Sequence, residues 1–489
     1  MLHNTKRFLL TLMALPLAIT GCSTGPAPDS ETINSDYYFI FGDNFDTTCE
    51  YTYKNDYFRG SPQSFDKDLA MCSFIAAANS GKKTSVRKYY KEIHYTVDYM
   101  SPEFDDGCGP DTYAYTLAHR DIDDFTVISL SFRSFDYTLE WVSNVTLGAE
   151  GNHAGFEYSC NNALEHFKGF VQEKYAGKNL KLWVNGFSRG GALANMFVTK
   201  LMNDPESGFN EDNTWCYTFE APAPFSLENV RKDLKNIYNC VNTADVVVNV
   251  PPAQYGLYRS GTDIDIFRTD FDQLFSDYMY EIYPESTWPT DKDGNKIPYE
   301  NLTEEQAKKT AFKWVDEYSK FSNAKKYGDE RGFMNAFIEK LLSVDDPTYG
   351  IQDRAHYVEH MQTTAQFACQ FLFSFDQYDL YFVKEWLTYE HLETPAKMLK
   401  FASAITAPDG KGAENLNTIL KRYLDFTGYE YKSEDLTAFC TNIYNILMNF
   451  DFGNVMTLVS ALPNIMRALY FHWHESSYVL LRAMVREAA

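Results

Sequence analysis

The stretch Leu180–Met202, LKLWVNGFSRGGALANMFVTKLM, constrains the fold of this chain more than any other. Leu180, Leu182 and Val184, with Trp183 between them, read as a buried strand, and Ala192–Met202 carries the apolar content and helix formers of a helix. Between them lies Gly186-Phe187-Ser188-Arg189-Gly190, a G-x-S-x-G in a strand-turn-helix setting. Such a turn holds its central Ser in a strained backbone conformation. A side chain two residues before or after that Ser would collide with neighbouring backbone, and Gly186 and Gly190 remove the collision. The Ser188 hydroxyl is then exposed above the sheet, the N–H of Arg189 faces any oxyanion formed there, and the following helix N-terminus favours negative charge. The plainer alternative is a tight structural turn without chemistry.

Strand and helix alternate around this segment. Asp66–Asn79 reads as a helix with Leu69, Ala70, Phe74 and Ala77 inward, and Thr112–His119 is expected to be helical. Phe125–Phe132 is apolar on both faces, as a central strand should be. Phe156–Lys174 is a helix, and strands follow at Trp215–Glu220 and Asn236–Asn242. This order predicts a mostly parallel sheet covered by helices, with sites at the C-terminal strand ends. From about residue 265 the texture becomes helical: Thr303–Phe321 has a capping-box start, Phe333, Phe337 and Leu341 share a helical face, and Ser433–Phe450 reads likewise.

The N-terminus is a targeting segment. Lys6 and Arg7 precede an apolar run, Phe8–Ile19, that is too short to remain as a spanning helix, and Ile19-Thr20-Gly21-Cys22 closes it. It resembles a bacterial lipoprotein signal, which implies cleavage before Cys22, acylation of that residue, and a lipid-anchored place in the cell envelope outside the cytoplasm. Residues 23–35, rich in Ser, Thr, Pro and acidic residues, are expected to be a flexible tether. A short aromatic strand, Tyr37–Phe41, follows. With 44 Lys and Arg against 67 Asp and Glu, the net charge of −23 argues against nucleic acid and against adsorption to anionic lipid. Cys49, Cys72, Cys108, Cys160, Cys216, Cys240, Cys369 and Cys440 permit disulfides in an exported chain, although buried free thiols suit Cys216 and Cys240 equally well. Asp291–Asn295 reads as a solvated turn.

A Ser nucleophile needs a base, and the base needs a carboxylate to orient it. Asp245, in the loop after the second strand past the elbow, is the acid candidate. Here the residues carry a resemblance. NGFSRGGALANMF is similar to the GHSLGGALA elbow of the class 3 lipases, and CVNTADVVVNVPP to their NxxDxVPxxPP acid loop. YTFEAPAP resembles their TFGxPxxG turn, and Ser131-Phe132-Arg133-Ser134-Phe135, with Trp141 beyond it, their FRG[ST] segment. The likeness covers Phe132–Pro252. It implies an α/β-hydrolase that cleaves carboxylic or lipid esters without a cofactor, with Ser188 as nucleophile, Asp245 as orienting acid, and the backbone N–H groups of Phe135 and Arg189 as oxyanion hole. In place of the family's Gly, Ser/Thr, His and Leu stand Ser134, Phe135, Phe187 and Arg189. Arg189 is thereby expected to bring its guanidinium near the acyl or head-group path.

The base follows the acid in such chains. His472, in His472-Trp473-His474-Glu475 before a helical Ser477–Arg486, is favoured, with His356 and His474 as alternatives; a metal pair formed by His472 and His474 is disfavoured. The expected organisation is a signal peptide at 1–22, a tether at 23–35, a hydrolase core at 36–262, a helical insertion at 263–460 that acts as lid or acyl-binding wall, and a C-terminal His segment at 461–489. A hydrolase-fold surface lipoprotein that binds a ligand without turnover is the alternative.

Overall fold

A computed structural model describes residues 27–37, 47–106, 112–134, 140–282, 290–295, 297, 303, 321, 323–343, 351–373, 396–397, 400, 403–404, 411–427, 430–449, 461, 463–465 and 467–487. The signal segment with Cys22, the oxyanion-loop residue Phe135, Cys108 and most of Thr303–Phe321 lie outside the described residues. Among the described residues no helix is long and apolar enough to cross a membrane.

In chain order the strands are β1 (Ser30–Tyr37), β2 (Thr47–Lys54), β3 (Thr96–Met100), β4 (Tyr115–Ile122), β5 (Phe125–Phe132), β6 (Leu180–Phe187), β7 (Thr214–Phe219), β8 (Phe225–Ser226), β9 (Ile237–Val241), β10 (Leu257–Tyr258) and β11 (Thr262–Asp265). The helices that frame them are α1 (Lys67–Asn79), α2 (Lys83–Glu92), α3 (Glu103–Asp106), α4 (Trp141–Asn144), α5 (Ala154–Tyr175), α6 (Arg189–Met202) and α7 (Phe271–Ile282). The central sheet runs β11-β9-β7-β6-β5-β4-β3; it is parallel from β11 to β5 and antiparallel at β4 and β3.

Period-2 alternation divides the strand side chains between two cores. Leu182 and Val184 of β6 pack with Ile128 and Leu130 of β5 beneath α5 and α6. Trp183 and Phe187 face the opposite way, toward α1, α2 and the closing helix His474–Arg486, together with Trp215, Tyr217 and Phe219 of β7. A fully buried side chain of this size contributes about 1.5–3 kcal/mol, so the two-sided burial of β6 fixes its central place. At its start α1 is capped by Asp66, whose carboxylate accepts the Leu69 N–H at 2.9 Å.

The sequence reading and the structure part at two places. Residues 112–119, expected as a helix, enter β4, because Leu117, Ala118 and their neighbours pair with both β3 and β5 and are buried on both faces. Pairing of this reach overrides the helix preference of Leu and Ala. The expected tether also ends early. Ser30–Tyr37 is strand β1, antiparallel to β2, and buries Ile33 and Tyr37. Cys216 and Cys240 lie buried in β7 and β9 as free thiols.

Beyond β11 the described residues are mainly helical, including Glu330–Leu342, Gln362–Phe373, Gly412–Thr427 and Ser433–Asn449. α7 joins the core below the sheet through Phe271, Phe275 and Tyr278. Leu342, Tyr357 and Val358 pack on Leu147, Ala223, Tyr255 and Leu257, residues of the loops that follow the C-terminal strand ends. Arg354 reinforces this contact by donating to the carbonyls of Leu147, Gly148, Gly151 and Asn152 at 2.6–2.8 Å.

Candidate active site

Ser188 is the residue between β6 and α6, and its backbone has φ 54°, a left-handed conformation that costs a non-Gly residue about 1–3 kcal/mol. Its N–H donates to Phe219 O at 2.7 Å, which fixes the turn to β7. The Gly requirement is steric. A Cβ at Gly186 would lie 2.1 Å from Gly190 O, and one at Gly190 would lie 2.8 Å from Arg133 O. Gly191 is equally constrained, its Cβ falling 2.8 Å from that of Ala221. The Ser188 hydroxyl is therefore displayed at the end of β6, at the N-terminus of α6.

Two distant segments meet it. His472 Nε2 lies 2.7 Å from Ser188 Oγ, and His472 Nδ1 lies 2.6 Å from Asp245 Oδ2. Asp245 is fully buried in the turn after β9, and its Oδ1 accepts the Val247 N–H at 2.8 Å. With Asp245 at Nδ1, the imidazole presents Nε2 as a proton acceptor to the hydroxyl. Burial raises the Asp245 pKa, opposed chiefly by the adjacent His472. Phe187, where the class 3 elbow has His, packs its ring 5.2 Å from the His472 ring and 4.3 Å from that of His474.

The other histidines considered from sequence are placed elsewhere. His356 is half-exposed and pairs with Asp353 at 2.8 Å. His474 is buried against Phe74 and Phe187, and burial, then the nearby His472, pushes its pKa well down. Among the described residues no cluster of three His, Cys, Asp or Glu is arranged to hold a metal ion.

Arg189 corrects the expectation for its side chain. It is 1% exposed and turned inward: Nη1 meets Glu140 Oε1 at 3.0 Å, Nε and Nη2 donate to Ser143 Oγ at 3.0 and 2.7 Å, and the guanidinium lies 4.2 Å over the Tyr113 ring. The other oxygen of Glu140 takes Arg133 Nη2 at 2.5 Å. A guanidinium held by a buried carboxylate is anchored in the protein interior.

Glu220 was missed in the sequence. It follows β7, is fully buried, and accepts the Asn242 N–H at 2.8 Å, at the start of the Asp245 loop. Burial, then the charge of Asp245, pushes its pKa well up. The available signal was a Glu standing where the TFGxPxxG turn has Gly.

A largely parallel sheet between two helical layers, with a strained Ser on the strand-to-helix elbow at its C-terminal edge, is the α/β-hydrolase architecture. Within that class, residues 128–255, from β5 through the Asp245 loop, match the family described as Lipase (class 3). Similar solved structures include a fungal lipase-inhibitor complex (19% identity, 40% of this chain and 78% of that one, TM-score 0.35). Others are a triacylglycerol lipase (18%, 42% and 83%, 0.35) and the Rhizomucor miehei lipase propeptide complex (19%, 42% and 71%, 0.34). No curated protein sequence matches the chain.

Proposed function

We propose that this protein is a serine ester hydrolase of the lipase or carboxylesterase kind, with Ser188, His472 and Asp245 as its catalytic triad. The observation that carries the reading is the continuous hydrogen-bond chain from Ser188 Oγ through the His472 ring to Asp245. His472 Nε2 takes the hydroxyl proton as Oγ attacks the ester carbonyl, and Asp245 stabilises the resulting imidazolium and holds its orientation. The oxyanion is received by the N–H of Arg189 at the start of α6 and, as the family resemblance implies, by that of Phe135. Collapse of the tetrahedral intermediate expels the alcohol, which leaves with the proton from His472. Water, activated by the same imidazole, then attacks the acyl-enzyme, and the carboxylic acid departs as Ser188 regains its proton. No cofactor enters this scheme.

The helical segment after β11 packs on loops at the strand ends, which supports its reading as a lid or acyl-binding wall for lipid or other carboxylic esters. The N-terminal signal pattern supports a lipid-anchored protein on the outer side of a bacterial membrane, attached through Cys22. Replacing Ser188 with Ala is expected to lower hydrolysis of short and long p-nitrophenyl esters by roughly 10⁴-fold or more. It should also abolish labelling by a fluorophosphonate probe, which requires an activated Ser. Hydrolysis at the parent rate in that variant would sink the assignment, and a parent protein that neither hydrolyses nor labels would point instead to a ligand-binding protein on the same fold.

A further inference from the structure

We propose that Glu220 is a positioning residue that ties the Asp245 loop to the His472 segment and so sets the spacing of the two groups on which Ser188 depends. The inference rests on the hydrolase reading above. Glu220 sits at the end of β7 with φ 47°, a left-handed conformation that Gly adopts freely and Glu does not. A strained, fully buried ionisable side chain persists when something other than local propensity holds it there.

Its two oxygens show what holds it. Oε2 accepts the N–H of Asn242 at 2.8 Å, and Asn242 in turn organises the acid loop: its Oδ1 accepts the Ala244 N–H at 3.0 Å and its carbonyl accepts the Asp245 N–H at 2.9 Å. Oε1 lies 3.1 Å from Ser477 Oγ in the first turn of the closing helix. That turn is joined to the residues preceding His472, because Ser476 Oγ donates to Tyr470 O at 2.9 Å. One carboxyl group thus bridges the segment that carries the acid and the segment that carries the base. Its backbone N–H is fixed as well, donating to Cys240 O at 3.0 Å, so the bridge is built on the sheet. A Gly at this position would relieve the strain and remove the bridge. Burial and then Asp245 push its pKa up, and a glutamine amide keeps the acceptor toward the Asn242 N–H and sets an NH2 group where the Ser477 hydroxyl can turn to accept from it.

The test uses the full chain, p-nitrophenyl ester kinetics and thermal unfolding, with Ser188→Ala alongside. Glu220→Ala is expected to lower kcat about tenfold or more with KM within about twofold, since misplacement of a catalytic group costs turnover. Glu220→Gln should restore kcat to within about threefold of the parent. A parent-like kcat in Glu220→Ala, or a glutamine variant as slow as the alanine one, overturns the proposal. Should Glu220→Ala fail to fold, Ser477→Ala removes only the Oε1 partner: a few-fold loss of kcat at unchanged KM supports the bridge, and an unchanged kcat overturns it. Activity that survives in Ser188→Ala would instead overturn the hydrolase reading itself, whatever the Glu220 variants do.

Discussion

Two buried charge clusters reach Ser188, one through its chain neighbour and one through His472, and they are built on opposite terms. In the first, Glu140 is shared between Arg133 and Arg189, whose guanidinium is further satisfied by Ser143 and the Tyr113 ring. Every charge there faces an opposite charge. In the second, Glu220 and Asp245 are two buried acids, the charge of Asp245 helps raise the Glu220 pKa, and among the described residues the ion-pair partner of Asp245 is His472, with no Lys or Arg within that distance of either acid. Arg259 acts on them from further off; its Nη1 donates to the carbonyls of Ala221 and Val248 in the loops that carry the acids. Buried opposite charges fix a shape, whereas buried neighbouring acids are retained where the chemistry needs an acid in a set place. The first cluster is accordingly read as the support of the elbow, and the second as part of the proposed triad and its mounting.

Breaking each cluster at its centre should therefore give different signatures. Asp245→Asn keeps the shape of the side chain but favours the wrong imidazole tautomer at His472; kcat for p-nitrophenyl esters is expected to fall by about 10⁴-fold with little change in melting temperature. A loss under about tenfold would remove Asp245 from its role. Glu140→Ala should do the reverse in kind. It strips the carboxylate shared by two guanidinium groups that are 5% and 1% exposed, and urea unfolding should record a loss of about 3–5 kcal/mol. A loss below about 1 kcal/mol would show that water screens the cluster and that the contrast is not one of pairing.

The same contrast explains what the sequence could and could not reveal. The elbow is legible because its constraints are local: the alternation of Leu182, Trp183 and Val184, the helix formers after Gly191, and Gly residues where a Cβ would strike backbone. Asp245 and His472 could be chosen from chain order, but their meeting with Ser188, across 284 residues in the case of His472, is a property of the packed sheet and closing helix. β4 was misread because its pairing partners lie outside its own window, and Leu and Ala taken alone favour a helix. The Arg189 side chain was misassigned for a related reason. An Arg beside a nucleophile suggests contact with substrate, and nothing adjacent in sequence announces Glu140 as its partner. Glu220 left a trace, a charged residue at a glycine position, whose meaning depends on φ and on Ser477, 257 residues away.

Arg189→Leu sharpens the comparison at smaller amplitude. Its bonds to Glu140 and Ser143 are lost, but Arg133 still neutralises Glu140, so a stability loss of about 1–3 kcal/mol is expected in urea unfolding. The ratio of kcat/KM for anionic over neutral esters should stay where it is, because the guanidinium is spent on the protein interior; a clear shift in that ratio would return the side chain to the substrate path.

A titration separates the two clusters by pH. Glu220 has its folded pKa raised well above the usual carboxylate range by burial and by Asp245, while the unfolded chain restores an ordinary Glu value of about 4.3. The sign follows from proton counting. Between those two values the folded state binds more protons than the unfolded one, so the contribution of Glu220 to stability is complete below about pH 4 and is lost as pH rises, by at most about 1.4 kcal/mol per pH unit. Glu220→Gln has no proton to lose. Its stability relative to the parent, measured by urea unfolding at steps from pH 4 to pH 7, should therefore increase with pH. The amide cannot ionise beside Asp245, which is why the gain belongs to the acid pair and not to the bridge. A difference that is flat across this range would mean that the Glu220 pKa is not raised in the fold, and the contrast between the two clusters would then lose its second half.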